Sequence, residues 1–476
     1  MKLDVFARSR FNLAMVKWMV LGVVGAVVGG CSTVANPLYC DESSDCKNGF
    51  VCNLDTNGCE EQATDAGMDS GSSSCVLDDE CATGVCRNDG SCELPENVLY
   101  VAVDGISAGE CPADARCDIT YALSKVTPAR STIRLANGSY DFASDFVVDR
   151  DKPDVTIVGG RAAIFRRAAD GVLMEVRGVI GTAGPTLTLR EMTINKAISC
   201  FWAGLRLQRA LFDNPPSEPR PWVASSACSL VIESSELRNS TGDGIVGDYT
   251  DLRMSDSSIS MSAGFGISLS GTAAERDVRV LRSTISHSMK IGIWVTNVTS
   301  FTLERSLVSY NHLGGVESTG HPFEITNNFI VRNGAQGNTL GVDSSHFGGL
   351  HVAGMGSSRL LYNTIAMNNS DPAAMWAGGV YCDSATTASN LISYNQRGNE
   401  EFPRAAIGGN CSFANSLIDQ SITAVDTKFV DLIADDFHIS SASPAVNAGS
   451  GMAEVSIDYD GDARTDGAPD FGADEL

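Results

Sequence analysis

The chain has 476 residues, a formal net charge of −24 at pH 7 and 43% hydrophobic residues, with 47 glycines and 15 cysteines. Such an acidic chain repels nucleic acid phosphates and anionic lipid headgroups, which excludes binding to either through surface charge. The length allows one elongated domain with small modules beside it. We expect a monomer that binds no nucleic acid and requires no cofactor.

Residues 1–30 have the layout of a signal peptide. Basic residues precede an apolar run from Trp18 to Val28 that is too short to cross a bilayer comfortably. The next residues, Gly29-Gly30-Cys31, resemble the bacterial lipobox, in which small residues precede a cysteine that is acylated and becomes the new N-terminus. The resemblance implies lipidation of Cys31 and attachment to a membrane through the acyl chains. Ser32, which follows, implies the bacterial outer membrane or cell surface.

The cysteine count supports lipidation of Cys31. Without that residue an even number of cysteines remains, and all of them can pair in an oxidising compartment. The alternative is an ordinary signal peptide, with Cys31 as one more disulfide partner. We interpret residues 31–39 as an acylated tether.

Two groups of four cysteines follow, at residues 40–60 and 75–93, with a flexible polar linker at 61–74. Each group is too small to bury a core, so disulfides are expected to stabilise it. The segment CDESSDCKNGFVC, which begins at Cys40, resembles the small four-cysteine modules related to the Dickkopf cysteine-rich region. Zinc binding is the rival interpretation, but no CxxC pair or histidine lies nearby.

From Val98 onward, short β-rich runs repeat along the chain. Seven segments align on one apolar residue, from Leu237 to Ile392, and successive segments are 22 to 35 residues apart. A Ser or Asn stands at the same two places in every segment, where its side chain can bond to the same group one layer up. These polar residues are Ser235, Ser257, Ser283, Ser306, Asn328, Asn363 and Asn390, and then Ser240, Ser262, Ser288, Asn311, Asn333, Asn368 and Asn395. A turn of this length suits three short strands, which predicts an all-β parallel β-helix of roughly ten coils over residues 98–440. Leucine-rich repeats are the structural alternative, but no regular leucine pattern is present.

Both ends of the solenoid need covers, because a terminal coil exposes unpaired strand edges. Asp118 is expected to cap a short helix over 119–126 that acts as an N-terminal lid. The order CDITYALSKV…STIRLANGSYDF resembles the opening of bacterial pectin-lyase-like β-helices. The ending SPAVNAGSG…IDYDGDARTDGAPDFGADEL resembles the closing segment of the choice-of-anchor Q family, which makes 441–476 a C-terminal cap. Together these resemblances imply an exported right-handed β-helix, but they fix no reaction.

Six cysteines lie within the repeat region. Cys382 and Cys411 occupy similar places one coil apart, and a coil rise near 4.8 Å fits a disulfide. Two further pairs are proposed on position alone, and they are Cys200 with Cys228 and Cys111 with Cys117.

A second repeated motif, Gly followed by an apolar residue, marks one strand in each coil. The residue after the apolar one points outward, which places Trp294, Glu317, His351 and Tyr381 in one column over four coils. Aromatic faces can pack on sugar rings while polar groups bond hydroxyls, so the column predicts a polysaccharide-binding surface. The alternative is an ordinary solvated face. The longest insertions precede the same strand and contribute Asp343, His346, Trp376, Glu400 and Glu401.

Catalysis is a stricter hypothesis than binding. Glu317 and His351 are candidates for an acid–base pair in a polysaccharide lyase or a glycoside hydrolase. The polygalacturonase-like tokens Asn-Thr-Asp, Gly-His-Gly and Arg-Ile-Lys are absent from the sequence. We therefore expect a noncatalytic binding protein first, an enzyme second and a structural spacer third.

Asp458, Asp460 and Asp462 alternate in DYDGD, like the start of a calcium-binding loop. Ala463 and Pro469 stand where such a loop needs glycine and glutamate, so a structural calcium ion is the lesser interpretation. An aspartate-rich turn that closes the last coil is the favoured one.

Overall fold

A computed structural model describes residues 50–53, 58–61, 74–87, 89–160, 162–167, 171–213, 218–271, 276–334, 347–371, 376–397, 406–413, 415–418, 427–449, 455–464 and 468–476. The chain divides into two compact units, Met1–Ser72 and Ser73–Leu476. In the first unit, the strands Phe50–Asn53 and Gly58–Glu61 pair as an antiparallel hairpin. None of the helices in the described ranges has the length and apolar composition of a membrane span. The predicted signal peptide and Cys31 lie outside the described residues.

The second unit is a right-handed parallel β-helix, as the sequence predicts, with three long sheets. Sheet A has the strands Val98–Ile106, Thr132–Leu135, Val155–Val158, Thr186–Arg190, Gly204–Gln208, Ser229–Glu233, Asp251–Ser255, Asp277–Leu281, Ser300–Glu304, Phe323–Thr326, Arg359–Leu361 and Thr386–Ala388. Sheet B has Gly138–Phe142, Ala163–Arg167, Thr193–Ile194, Leu211–Phe212, Glu236–Arg238, Ser258–Ser260, Thr284–Ser286, Leu307–Ser309, Phe329–Val331, Thr364–Ala366, Leu391–Ser393 and Leu417–Ile418. Sheet C has Phe146–Val148, Val172–Arg177, Ala197–Phe201, Val223–Ser226, Ile245–Asp248, Ile267–Ser270, Ile291–Thr296, Gly314–His321, Leu350–Gly354, Val380–Asp383 and Ile407–Gly409.

Each coil passes through sheet A, then B, then C, and its strands pair in parallel with those of the next coil. Alternate side chains point inward, so that Leu252, Ile259 and Ile267 of one coil are fully buried together. The same positions in the other coils stack above and below them into one continuous core. Burial of these apolar columns is the main source of stability, at about 25 cal/mol per Å².

The repeated Ser and Asn residues form two buried ladders at the turns that flank sheet B. In the second ladder, the backbone N–H and the side-chain amide of Asn333 both donate to Oδ1 of Asn368, at 2.8 and 3.1 Å. The Asn333 amide also donates to the carbonyl oxygens of Val308 and Val331. Each amide thus satisfies backbone groups in its own coil and in the adjacent one, which is the role that the sequence pattern indicates.

The residue immediately before each ladder position has a left-handed backbone conformation. Tyr310, Arg332 and Met367 have φ of 57°, 55° and 54°, although none of them is glycine. Bulky residues rarely adopt this conformation, and the stacked coils on both sides hold it in place.

A short helix and the second cysteine module cover the early coils. The helix Ile119–Lys125 begins at Asp118, whose Oδ1 accepts a hydrogen bond from the backbone N–H of Tyr121 at 2.8 Å. The helix buries Ile119 and Leu123 against the core, as expected of a lid. The module contains the 3₁₀ turn Asp78–Glu80, and a second 3₁₀ turn, Pro95–Asn97, follows it just before the first strand of sheet A.

The C-terminal segment lies along the side of the solenoid, which the sequence did not indicate. The parallel strands of the three sheets end at Ile418, and Phe429–Asp431 and Asp436–Ile439 then form an antiparallel hairpin. Phe437 and Ala473 pack on the outer face of sheet B, against Phe329. The segment predicted to cap the last coil therefore covers the flank of several late coils, because exposed apolar residues on sheet B need that cover.

Five disulfides are present in the described residues. Cys75–Cys86 and Cys81–Cys92 stabilise the second cysteine module. The other three are the pairs placed by the sequence, and they are Cys111–Cys117, Cys200–Cys228 and Cys382–Cys411. The last two pairs each join successive coils.

Candidate functional site

The outward positions of sheet C form the column that the sequence predicts. Trp294 pairs with Glu317, Glu317 with His351 and His351 with Tyr381 in parallel register across four coils. The residue before each of them is fully buried, and these residues are Ile293, Val316, Leu350 and Val380. The pleat of the strands therefore turns the four side chains of the column away from the core.

Glu317 and His351 are adjacent in the column. Oε1 of Glu317 lies 3.5 Å from Nδ1 of His351, and their side chains are 22% and 14% exposed. A carboxylate can accept hydrogen bonds from hydroxyl groups, and an imidazole can donate or accept them. This part of the column brings a carboxylate and an imidazole together.

Trp376 covers the upper end of the column. The centre of its ring lies 4.3 Å from that of His351 and 4.7 Å from that of Tyr381, with an edge-to-face arrangement toward the tyrosine. The rings of His351 and Tyr381 are 5.5 Å apart. Trp376 comes from the insertion that precedes the strand of Tyr381. This insertion residue and the column, both predicted from the sequence, therefore belong to one aromatic cluster. We refer to Trp294, Glu317, His351, Trp376 and Tyr381 as the sheet C strip.

Three residues that the sequence interpretation missed support the strip. Phe265 lies 5.9 Å from Trp294, and the amine of Lys290 lies 4.8 Å from the centre of the Phe265 ring. Buried Phe347 lies 5.6 Å from His351. Both phenylalanines directly precede a glycine near the start of a sheet C strand, a signal present in the sequence. The predicted residues Asp343, His346, Glu400 and Glu401 lie outside the described residues.

The three aspartates proposed for calcium have different roles. Asp458 is fully buried and accepts hydrogen bonds from the backbone N–H groups of Gly461, Asp462 and Glu475. Asp460 lies 3.0 Å from Nε2 of His438, and Asp462 is exposed. Among the described residues, the three do not converge as a set of metal ligands. This geometry is that of the aspartate-rich turn.

The comparison with protein families agrees with the fold. A family profile described as "Right handed beta helix region" matches residues 265–437. A search of curated proteins gave no significant match. Solved structures with a similar course include pectate lyase Pel9A, at 14% identity and TM-score 0.44 over 79% of this chain and 96% of that one. PfbA, a surface adhesin of Streptococcus pneumoniae, gives 8% identity and a TM-score of 0.38, over 66% of this chain and 92% of that one. The A-module of the mannuronan C-5 epimerase AlgE4 of Azotobacter vinelandii gives 11% identity and a TM-score of 0.34, over 60% of this chain and 90% of that one.

Proposed function

We propose that this protein is a cell-surface lipoprotein whose β-helix binds carbohydrate at the sheet C strip, without catalysis. The observation that carries the proposal is the contact of Trp376 with His351 and Tyr381 beside the Glu317 carboxylate. Aromatic rings offer flat apolar surfaces to sugar rings, and the neighbouring polar groups bond sugar hydroxyls.

The length of the strip suits an oligosaccharide. Its four coils are separated by three steps of about 4.8 Å, so its aromatic groups extend over roughly 14 Å. Trp294 and Phe265 lie at one end, Trp376 and Tyr381 lie at the other, and Glu317 is between them. A linear glycan that follows the coil axis would contact both aromatic groups.

Charge favours a neutral glycan over an acidic one. The chain carries a net charge of −24, and the centre of the strip is a carboxylate. Both repel the carboxylates of uronic acids, and the repulsion is weakened by salt.

A glycan array that holds neutral and acidic oligosaccharides tests this function. We expect the intact protein to bind neutral glycans, and Tyr381→Ala to lose that binding. Tyr249→Ala is the matched control, because Tyr249 is an exposed aromatic residue at a turn outside the strip. Equal binding by Tyr381→Ala and the control would contradict the proposal.

Catalysis is the second candidate, and the 3.5 Å approach of Glu317 to His351 is the observation that favours it. Such a pair can exchange protons with a substrate in a lyase or a hydrolase. Incubation with neutral and acidic polysaccharides, followed by assays for unsaturated and reducing ends, tests this candidate. Products that disappear in Glu317→Gln would establish an enzyme, and the lack of any product would favour binding alone.

We further propose that acyl chains on Cys31 attach the protein to the bacterial outer membrane. The lipobox resemblance and the even number of remaining cysteines support this attachment. Incorporation of a labelled fatty acid that is lost in Cys31→Ala would support it, whereas label retained in that variant would refute it.

A further inference from the structure

Three side chains of metal-ligand type meet beside sheet B, far along the chain from the sheet C strip. His438 belongs to the strand Asp436–Ile439, Asp460 to an aspartate-rich turn, and Asp474 to the last residues of the chain. One ligand atom from each lies within 4.8 Å of the others, and Nε2 of His438 is 3.0 Å from Oδ2 of Asp460. Three separate segments thus present an imidazole and two carboxylates to one point.

The imidazole of His438 is held in one orientation. Asp436 lies on the same face of the strand, and its Oδ1 is 2.6 Å from Nδ1 of His438. The imidazole ring packs against Phe329 at 5.2 Å and against Tyr459 at 6.4 Å. Nδ1 thus faces the carboxylate of Asp436, and Nε2 faces the other two ligands, with Oδ2 of Asp460 at 3.0 Å. A carboxylate on the ring nitrogen that does not bind the metal is the usual partner of a metal-binding histidine.

Asp474 is the buried member of the three ligands. Its side chain is buried, with 5% of the residue exposed, and it accepts a hydrogen bond from the backbone N–H of Ile439 at 2.7 Å. It forms no ion pair in the described part of the chain.

We propose that His438, Asp460 and Asp474 bind one divalent transition-metal ion, of which Zn²⁺ is the best match. Imidazole nitrogens and carboxylate oxygens both bind zinc, and three protein ligands leave the fourth position to water. Calcium and magnesium prefer sites made of oxygen ligands alone. The ion would fasten the hairpin, the aspartate-rich turn and the C-terminus to one another, and Asp436 would orient the histidine from behind.

Calorimetric titration of the intact, untagged protein with ZnCl₂, after removal of metals by a chelator, tests the site. We expect one equivalent of Zn²⁺ to bind and to raise the unfolding temperature. His438→Gln and Asp474→Asn are each expected to weaken binding at least tenfold. Asp436→Asn, which removes only the orienting partner, is expected to weaken it by about 10- to 100-fold.

His287→Gln is the matched control, because His287 is exposed, stacks on Tyr310 and does not belong to the group of three ligands. It is expected to keep wild-type affinity. A change in the near-ultraviolet circular dichroism of His438→Gln would indicate altered folding, and Asp474→Asn then decides the outcome. The proposal fails if wild-type protein binds no Zn²⁺, if Asp474→Asn binds it as tightly as wild type, or if Ca²⁺ competes equally.

Discussion

Oδ1 of Asp78 lies 3.0 Å from Nη1 of Arg190, and this ion pair joins the second cysteine module to sheet A. The aspartate side chain is fully buried, and that of the arginine is 8% exposed. The same Oδ1 accepts the backbone N–H of Cys86, and the guanidinium also donates to the Cys86 carbonyl oxygen. The module is therefore held to the β-helix by a buried charge pair whose partners are hydrogen-bonded on both sides.

Replacing Asp78 by alanine is expected to lower the free energy of unfolding by about 3–5 kcal/mol, because it removes the buried carboxylate that pairs with the buried Arg190 charge. Chemical denaturation followed by circular dichroism measures the change. Asp79→Ala is the control, since Asp79 is the next residue and is exposed. A loss of equal size in the two variants would show that the ion pair has no special role.

Asn333→Ala is expected to destabilise the solenoid through its second ladder. The change leaves the backbone N–H of Asn311 and the Val308 carbonyl without their amide partner, at about 1–3 kcal/mol for each buried group. Asn333→Ser should cost less, because serine occupies the same position in earlier coils, as at Ser288. The midpoint of urea unfolding measures the stability of both variants. Midpoints equal to that of the wild type would exclude a stabilising role for the amide.

Stability below neutral pH is expected to depend on His321. Burial lowers the pKa of this imidazole to about 4. Since the unfolded chain takes up the proton near pH 6.5, stability falls as the pH drops from 6.5 toward 4, by about 3 kcal/mol for this group.

His321→Gln removes that titration. Unfolding midpoints at pH 7 and pH 4.5 should therefore differ less in His321→Gln than in the wild type. The residue also bonds the Ser318 hydroxyl at 3.0 Å, so a loss common to both pH values is attributed to that contact. A wild-type pH dependence that persists unchanged in the variant would assign it to other groups.

Trp376→Ala is expected to reduce glycan binding more than Trp294→Ala does. Trp376 contacts both His351 and Tyr381, whereas Trp294 packs only against Phe265 among the described aromatic residues. The loss for a stacked aromatic side chain of this kind is about 0.5–1.5 kcal/mol beyond its buried area. Binding constants from calorimetry with an array-identified glycan measure both variants. Equal losses of affinity in the two variants would contradict this ranking and would indicate that both ends of the strip contribute equally to binding.

The coils and the register of sheet C could be predicted because a β-helix repeats its neighbours in the sequence. Residues that align between repeats of the sequence, such as Trp294 with Glu317 and Asn333 with Asn368, also lie next to each other in successive coils. The alternation of strands then decides which side chains point outward. Where the coils repeat, sequence position determines spatial position.

The contacts made by segments outside the repeat could not be predicted in this way. Asp78 pairs with Arg190, which lies more than a hundred residues further along the chain. The C-terminal segment lies along sheet B because apolar residues on the outer face of that sheet pack against it. The contact of Trp376 with His351 depends on the course of an insertion. The left-handed conformation of Tyr310 contradicts its local preference and follows from the packing of the adjacent coils.

The three disulfides of the repeat region have unequal positions along the solenoid. Cys200–Cys228 and Cys382–Cys411 each fasten two successive coils near opposite ends of the two polar ladders, and no other disulfide in the described ranges joins coils between them. A reductant would therefore remove the covalent link between coils at these two places. It would leave the turns between them intact, since backbone, amide and hydroxyl hydrogen bonds connect those turns. Loosening under reducing conditions would begin at these two places, while the coils between them that bear Trp294 and Glu317 would keep their shape.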